Sequence, residues 1–191
     1  MTQTFTAFAG TQRIASGPVE SMIRRTKAVL DRGESRTLLI FDDRTGREID
    51  FDLSGTEEEV VAKLDGHPGL DRPETPPKRG PGRPKLGVVS REVSLLPRHW
   101  DWLSNQPGGM SGALRRLVDE ARKKDAAPER QRKARDAASR FMWTMAGNLE
   151  NFEEASRLLY RDDLEGLRAL IAGWPEDIRA HVEALITRGE A

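Results

Sequence analysis

Residues 4–9 (Thr-Phe-Thr-Ala-Phe-Ala) begin with polar and apolar side chains in alternation, the period-two pattern of a strand. Gly10-Thr11 reads as a turn into a second short strand, Gln12–Ala15. Pro18 suits the first turn of a helix. Val19, Met22, Ile23, Thr26, Val29 and Leu30 then recur at helical spacing up to Gly33, a C-terminal stop. Residues 37–41 (Thr-Leu-Leu-Ile-Phe) predict a nearly continuous apolar strand, and Asp42–Gly46 has the residue types of a turn. Over 47–53, Ile49, Phe51 and Leu53 fall on one face and Glu48, Asp50 and Asp52 on the other. Ser54–Lys63 reads as a short capped helix with Glu57, Glu58 and Glu59 at its positive end. The expected unit over 1–65 is a small ββαββα domain whose sheet keeps one wet face.

Residues 66–87 hold six prolines, five glycines and almost no apolar side chains. Such a segment cannot bury enough surface to offset its ordering entropy, which predicts a flexible linker. Residues 88–95 are weakly strand-like. Pro97 opens a helix to about Gln106, with Trp100 and Leu103 inward and Trp102 as a further inward candidate. Pro107-Gly108-Gly109 breaks it, and Ser111 caps a second helix to about residue 124. That helix is expected to bury Leu114, Leu117, Val118 and Ala121 and to turn Arg115, Arg116, Arg122 and Lys123 outward. Residues 125–191 read as all-helical, with Ala134, Ala137, Phe141, Met145 and Leu149 along one stripe and shorter helices over 151–160, 163–172 and 175–188. The chain is thus α+β: 1–65, a linker 66–87, a strand–helix–turn–helix module 88–124, and a helical region 125–191, with no internal repeat.

Charge changes this picture more than composition does. The formal net charge of the 191 residues is zero, yet 1–65 carries 9 basic and 12 acidic groups, 66–140 carries 17 and 9, and 141–191 carries 5 and 10. The segments are −3, +8 and −5, an asymmetry that points to a polyanionic partner. With no cysteine, disulfides, zinc–thiolate sites and a thiol nucleophile are excluded. The start lacks a basic and apolar leader, and no apolar run reaches the ~18–20 residues of a membrane span. A cytoplasmic protein without membrane contact is expected, nucleoid-associated if it binds DNA.

The densest cationic stretch is Lys78-Arg79-Gly80-Pro81-Gly82-Arg83-Pro84-Lys85. Gly82-Arg83-Pro84 with Lys85 resembles the core of an AT-hook. A guanidinium is held in the narrow, strongly negative minor groove of A·T-rich DNA, glycine admits the backbone, and proline keeps the arm extended. The AT-hook core reads Arg-Gly-Arg-Pro, and Pro81 stands where its first arginine belongs. A basic polyproline-like linker is the alternative. The module at 88–124 resembles the ribbon-helix-helix fold, in which two chains pair one strand each, or a helix-turn-helix with 111–124 as recognition helix. Counting back from Pro97, Leu95, Val93 and Arg91 would face the groove; a one-residue slip would instead present Glu92 and Ser94. A plain helical hairpin is the alternative here. Candidate contacts are Lys78, Arg79, Gly82, Arg83, Pro84, Lys85, Arg91, Arg98, Arg115 and Arg116.

Other constellations point less far. The acidic row Glu48-Asp50-Asp52 near Asp42 and Asp43 could hold Mg²⁺ or dock the basic arm, but a solvated strand face is the simpler reading. His67, His99 and His181 lie in separate segments and are expected at the surface or boundary. No triad order, P-loop or dinucleotide fingerprint occurs, and no enzyme, metal or cofactor is expected. The four tryptophans, beside leucines, read as core. DNA, with A·T-rich minor groove favoured, is the expected partner. A homodimer and an unidentified acidic protein are the further partner readings, the latter making the chain an interaction adaptor.

The run Gly82-Arg83-Pro84-Lys85-Leu86-Gly87, Arg91-Glu92-Val93 and Leu95-Leu96-Pro97-Arg98-His99-Trp100, followed by Gln106-Pro107-Gly108-Gly109, resembles a bacterial family catalogued as domain of unknown function 2239. Thr6-Ala7-Phe8-Ala9-Gly10, Phe41-Asp42-Asp43-x-Thr45-Gly46 and Ile171-Ala172-Gly173-Trp174-Pro175 extend the resemblance over nearly the full chain. It implies a bacterial, cytoplasmic protein and brings no catalytic residue or cofactor.

Overall fold

The computed structural model describes residues 3–71, 89 and 91–189. The chain divides into two compact units, one built from Met1–Arg72 with Ala127–Ala191 and one from Pro73–Ala126. The fold is α+β, as expected. The first unit opens with strands β1 (Thr4–Ala9) and β2 (Gln12–Pro18), helix α1 (Val19–Asp31), strands β3 (Leu38–Asp42) and β4 (Arg47–Glu48), and helix α2 (Glu57–Ala62). The sheet is antiparallel in the order β2-β1-β3-β4. Helices α3 (Pro97–Ser104), α4 (Gly109–Ala146), α5 (Phe152–Tyr160), α6 (Leu164–Leu170) and α7 (Glu176–Thr187) follow, with a 3-10 turn at Ile171–Gly173.

Both faces of the sheet are covered. Phe5, Ala7 and Ile40 pack with Met22, Ile23, Phe51 and Val60 on the α1/α2 side. Phe8 and Phe41 pack with Phe141, Met142, Leu159, Ile178 and Leu185 from the C-terminal helices on the other. The expected wet face is therefore not present. The first and last parts of the chain share one core, because β1 and β3 offer apolar side chains at both parities, as doubly buried strands do. Phe8, Phe41 and Phe141 meet at ring-centroid separations of 4.9–6.1 Å. Each buried phenylalanine contributes about 1.5–3 kcal/mol by transfer from water.

Three further expectations change. The strand expected over 47–53 shortens to Arg47–Glu48, although the Ile49 N–H still donates to the Ile40 carbonyl at 2.8 Å. Helix α4 continues through Pro128, where a fresh start was expected. Proline forfeits one backbone bond and crowds the preceding turn. The alanine-, arginine- and lysine-rich flanks propagate strongly enough on both sides to confine that loss. His181 is 3 % exposed, not a boundary residue, and its ring lies against Phe8 and Phe141.

The β3–β4 turn is fixed against α4. Gly46 has φ 65°, and a Cβ there would lie 1.9 Å from the Ala137 carbonyl oxygen. Arg140 Nη1 donates to the Thr45 carbonyl at 2.9 Å. The turn thereby carries Asp43, 2 % exposed, into the core. Its carboxylate accepts from Thr4 Oγ1 and Thr6 Oγ1 at 2.7 Å each and from Arg188 Nη2 at 3.0 Å. His181 Nε2 stands 3.7 Å from Asp43 Oδ1 without a hydrogen-bond partner.

Two predictions follow from this core. Gly46→Ala should destabilise the protein by at least about 2 kcal/mol, since left-handed strain adds to a backbone clash; urea denaturation measures it. Burial pushes the His181 imidazole down to about 4, Asp43 opposes that shift, and Arg188 and Arg13 add to it. The unfolded chain therefore takes up this proton first. Stability present above about pH 6.5 should decline as pH falls towards about 4, by up to roughly 3 kcal/mol from this group. Denaturation midpoints across pH 4–7 should show a shallower slope in His181→Gln.

Candidate nucleic-acid interface

Lys78, Arg79, Gly82, Arg83, Pro84 and Lys85 lie outside the described residues. The other four candidates lie in the second unit. Leu96 takes an extended backbone (φ −69°, ψ 151°), and Pro97 occupies the first turn of α3, where its missing N–H costs nothing. Arg98 follows it and is exposed. Gly108 and Gly109, at φ 84° and 73°, turn the chain into α4, which starts two residues before the expected cap Ser111. Arg115 and Arg116 are exposed on its first turns. Arg115 Nε donates to the Ser111 carbonyl at 3.0 Å, and Arg116 reaches Gln106 Oε1 at 3.4 Å. Seven residues further on, Arg122 repeats the face of Arg115 and Lys123 that of Arg116, both exposed.

Residues 91–96 form neither strand nor helix, so the weak strand expected there does not appear, and Arg91 is exposed in an irregular segment. The expected core of the module also differs. Leu103 and Ala113 are buried, but Trp100, Trp102, Leu117 and Val118 are 36–55 % exposed, as are Val93, Leu96 and Met110 at 44–57 %. Helical spacing places Leu114, Leu117, Val118 and Ala121 on one face as predicted, but among the described residues α3 packs over only part of it and leaves Leu117 and Val118 exposed. Of the remaining tryptophans, Trp174 is core and donates from Nε1 to the Glu150 carbonyl at 2.8 Å, whereas Trp143 is exposed.

The acidic row is dissolved locally. Asp52 accepts from Lys63 Nζ at 2.7 Å and from Ser54, which holds its carboxyl well below the usual carboxylate range. The Asp50 carbonyl meets His67 Nε2 at 2.9 Å, and His67 stacks on Phe51. Among the described residues, no three His, Asp or Glu side chains are placed to hold a metal, and no helix is long and apolar enough to cross a membrane.

Sequence reasoning missed the group around Asp43. Thr4 and Thr6 gave a signal: two hydroxyls at one parity of a strand whose Phe8, at the same parity, is core. Beside it lies a cavity of about 530 Å³ between the start of β1, the β3–β4 turn, α4 and the end of α7. Its existence depends on contacts between distant parts of the chain, such as Gly46 with Ala137 and Arg188 with Asp43, which no local pattern reveals.

A model of the family described as "Uncharacterized protein conserved in bacteria" matches residues 4–186, nearly the whole chain. No curated protein and no solved structure matches.

Covering the apolar face of the second unit should matter to its stability. Leu117→Lys and Val118→Lys together should lower the helical content of α3 and the start of α4 if that face is covered in solution. Hydrogen exchange of residues 97–124 would show it, while β1 and β3 stay protected.

Proposed function

The chain belongs to the bacterial domain of unknown function 2239 family, and from that premise we propose that it binds DNA through its basic middle. The observation that carries this reading is the charge distribution: +8 over residues 66–140 between segments of −3 and −5. The arm Lys78–Lys85 would lie along an A·T-rich minor groove with Arg83 inserted. Arg91, Arg98, Arg115 and Arg116 would neutralise phosphates nearby, and their exposure supports that role. In this reading a second copy covers Trp102, Leu117 and Val118 and pairs its 91–96 segment with the first, as the ribbon-helix-helix resemblance implies. The role would be regulatory or nucleoid-associated, in the cytoplasm and without catalysis.

A second reading is favoured by the same apolar side chains. Tryptophan and methionine exposed beside arginines are the residue types enriched at protein interfaces, and an adaptor holding an acidic protein would use them.

Fluorescence anisotropy with A·T-rich and G·C-rich duplexes across 50–200 mM salt separates the two. DNA binding should weaken steeply with salt, each phosphate contact contributing about 0.9 to the log–log slope. Arg83→Ala with Lys85→Ala should weaken A·T-rich binding at least about ten-fold and flatten the slope by about one. Arg115→Ala with Arg116→Ala should weaken both duplexes alike. No binding to either duplex at 50 mM salt, with a stoichiometric protein partner on purification, would overturn the first reading in favour of the second.

A further inference from the structure

We propose that the cavity in the first unit binds a small amphipathic organic anion, an apolar body carrying one carboxylate-type head. This inference is independent of DNA binding, because the site lies wholly within Met1–Arg72 and Ala127–Ala191.

The walls are built, not incidental. On one side Gly46 lets the β3–β4 turn press against Ala137 of α4. On the other, Gly189 lets the chain after α7 approach α4 so closely that a Cβ would lie 2.9 Å from Ala134 Cβ and 3.0 Å from Gln131 Cα. These two close approaches set α4 between the turn and α7, and the cavity is the space left over. At about 530 Å³ it falls within the roughly 300–1,000 Å³ of small-molecule sites.

Its lining decides the ligand. Ala134, Ala137 and Leu185, all buried, give it an apolar floor. Arg44, Arg130, Lys133 and Arg188 line it with four positive charges, against two negative ones from Asp43 and Asp71, and Asp42 behind the wall also pairs with Arg44 at 3.7 Å. The Asp43 carboxylate is already engaged by two threonine hydroxyls and by Arg188, which answers its charge. Asp71 faces Arg44 at 3.3 Å. Lys133 is held by Glu129 along the helix at 2.7 Å. Arg130 has no ion-pair partner among the described residues, so its guanidinium is free to take a carboxylate in fork geometry. Arg188 uses only Nη2 on Asp43 and Thr4, which leaves its other N–H groups for the same head. An apolar floor beneath a cationic rim fits neither a sugar, which would leave the floor bare, nor a neutral hydrocarbon, which would leave the guanidiniums unused.

The test uses the full chain and calorimetric titration with octanoate, acetate and 1-octanol. Octanoate should bind at least ten-fold more tightly than either control and raise the melting temperature. Arg130→Glu should weaken octanoate at least ten-fold and leave the melting temperature of the free chain unchanged, while Arg130→Lys should retain most of the affinity. Octanoate that binds no better than acetate or 1-octanol, or that binds Arg130→Glu equally well, overturns the proposal. The DNA titration on the wild-type chain reports separately, so either idea can fail without the other.

Discussion

The first unit depends on a carboxylate removed from water. Asp43 sits at the end of β3, 2 % exposed, where an unpaired charge would be untenable. It is held by hydroxyls from the first strand and a guanidinium from the end of α7, groups separated by up to 184 residues in the chain. The hydrogen bonds therefore do what the apolar contacts around Phe8 and Phe141 cannot do alone. They specify which edge of the helical layer meets which edge of the sheet, since a hydrophobic face tolerates sliding and a buried charge does not.

That arrangement also explains the neutral His181. Its ring is enclosed by Phe8 and Phe141 and stands near an aspartate whose charge is already answered by Arg188. Desolvation then outweighs the attraction of Asp43. The His181 ring packs edge-on against Phe8 and Phe141, and its Nε2 is buried without a hydrogen-bond partner.

Much of the fold was legible where local rules act alone. The period-two start of β1, Pro18 before α1, the Gly108-Gly109 break and the helical stripe from Ala134 to Met145 all appear where the residue pattern puts them. What failed was burial. Residues 47–53 alternate, and alternation suggested a wet sheet face, but Leu39 and Phe41 in β3 answered for the opposite parity and already implied two covers. In α4 the spacing of Leu114, Leu117 and Val118 identified a shared face; spacing carries no information about what lies against it. Of the candidate site, the exposure of Arg91, Arg98, Arg115 and Arg116 was legible because charged side chains rarely leave water unpaired. The cavity was not, since its wall residues come from β1, the β3–β4 turn, α4 and α7.

Helix α4 has one more implication. The first unit is discontinuous: it stops at residue 72 and resumes at 127, and Asp71 and Arg130, near those two seams, line the same cavity. The intervening stretch is thus a guest spliced into a host whose cut ends lie side by side. During synthesis the host cannot close until its last helix has emerged, so Phe8 and Phe41 wait exposed while the guest is made. A change of length in the guest would have to respect α4, which runs unbroken from Gly109 to Ala146 across the second seam and so belongs to both parts.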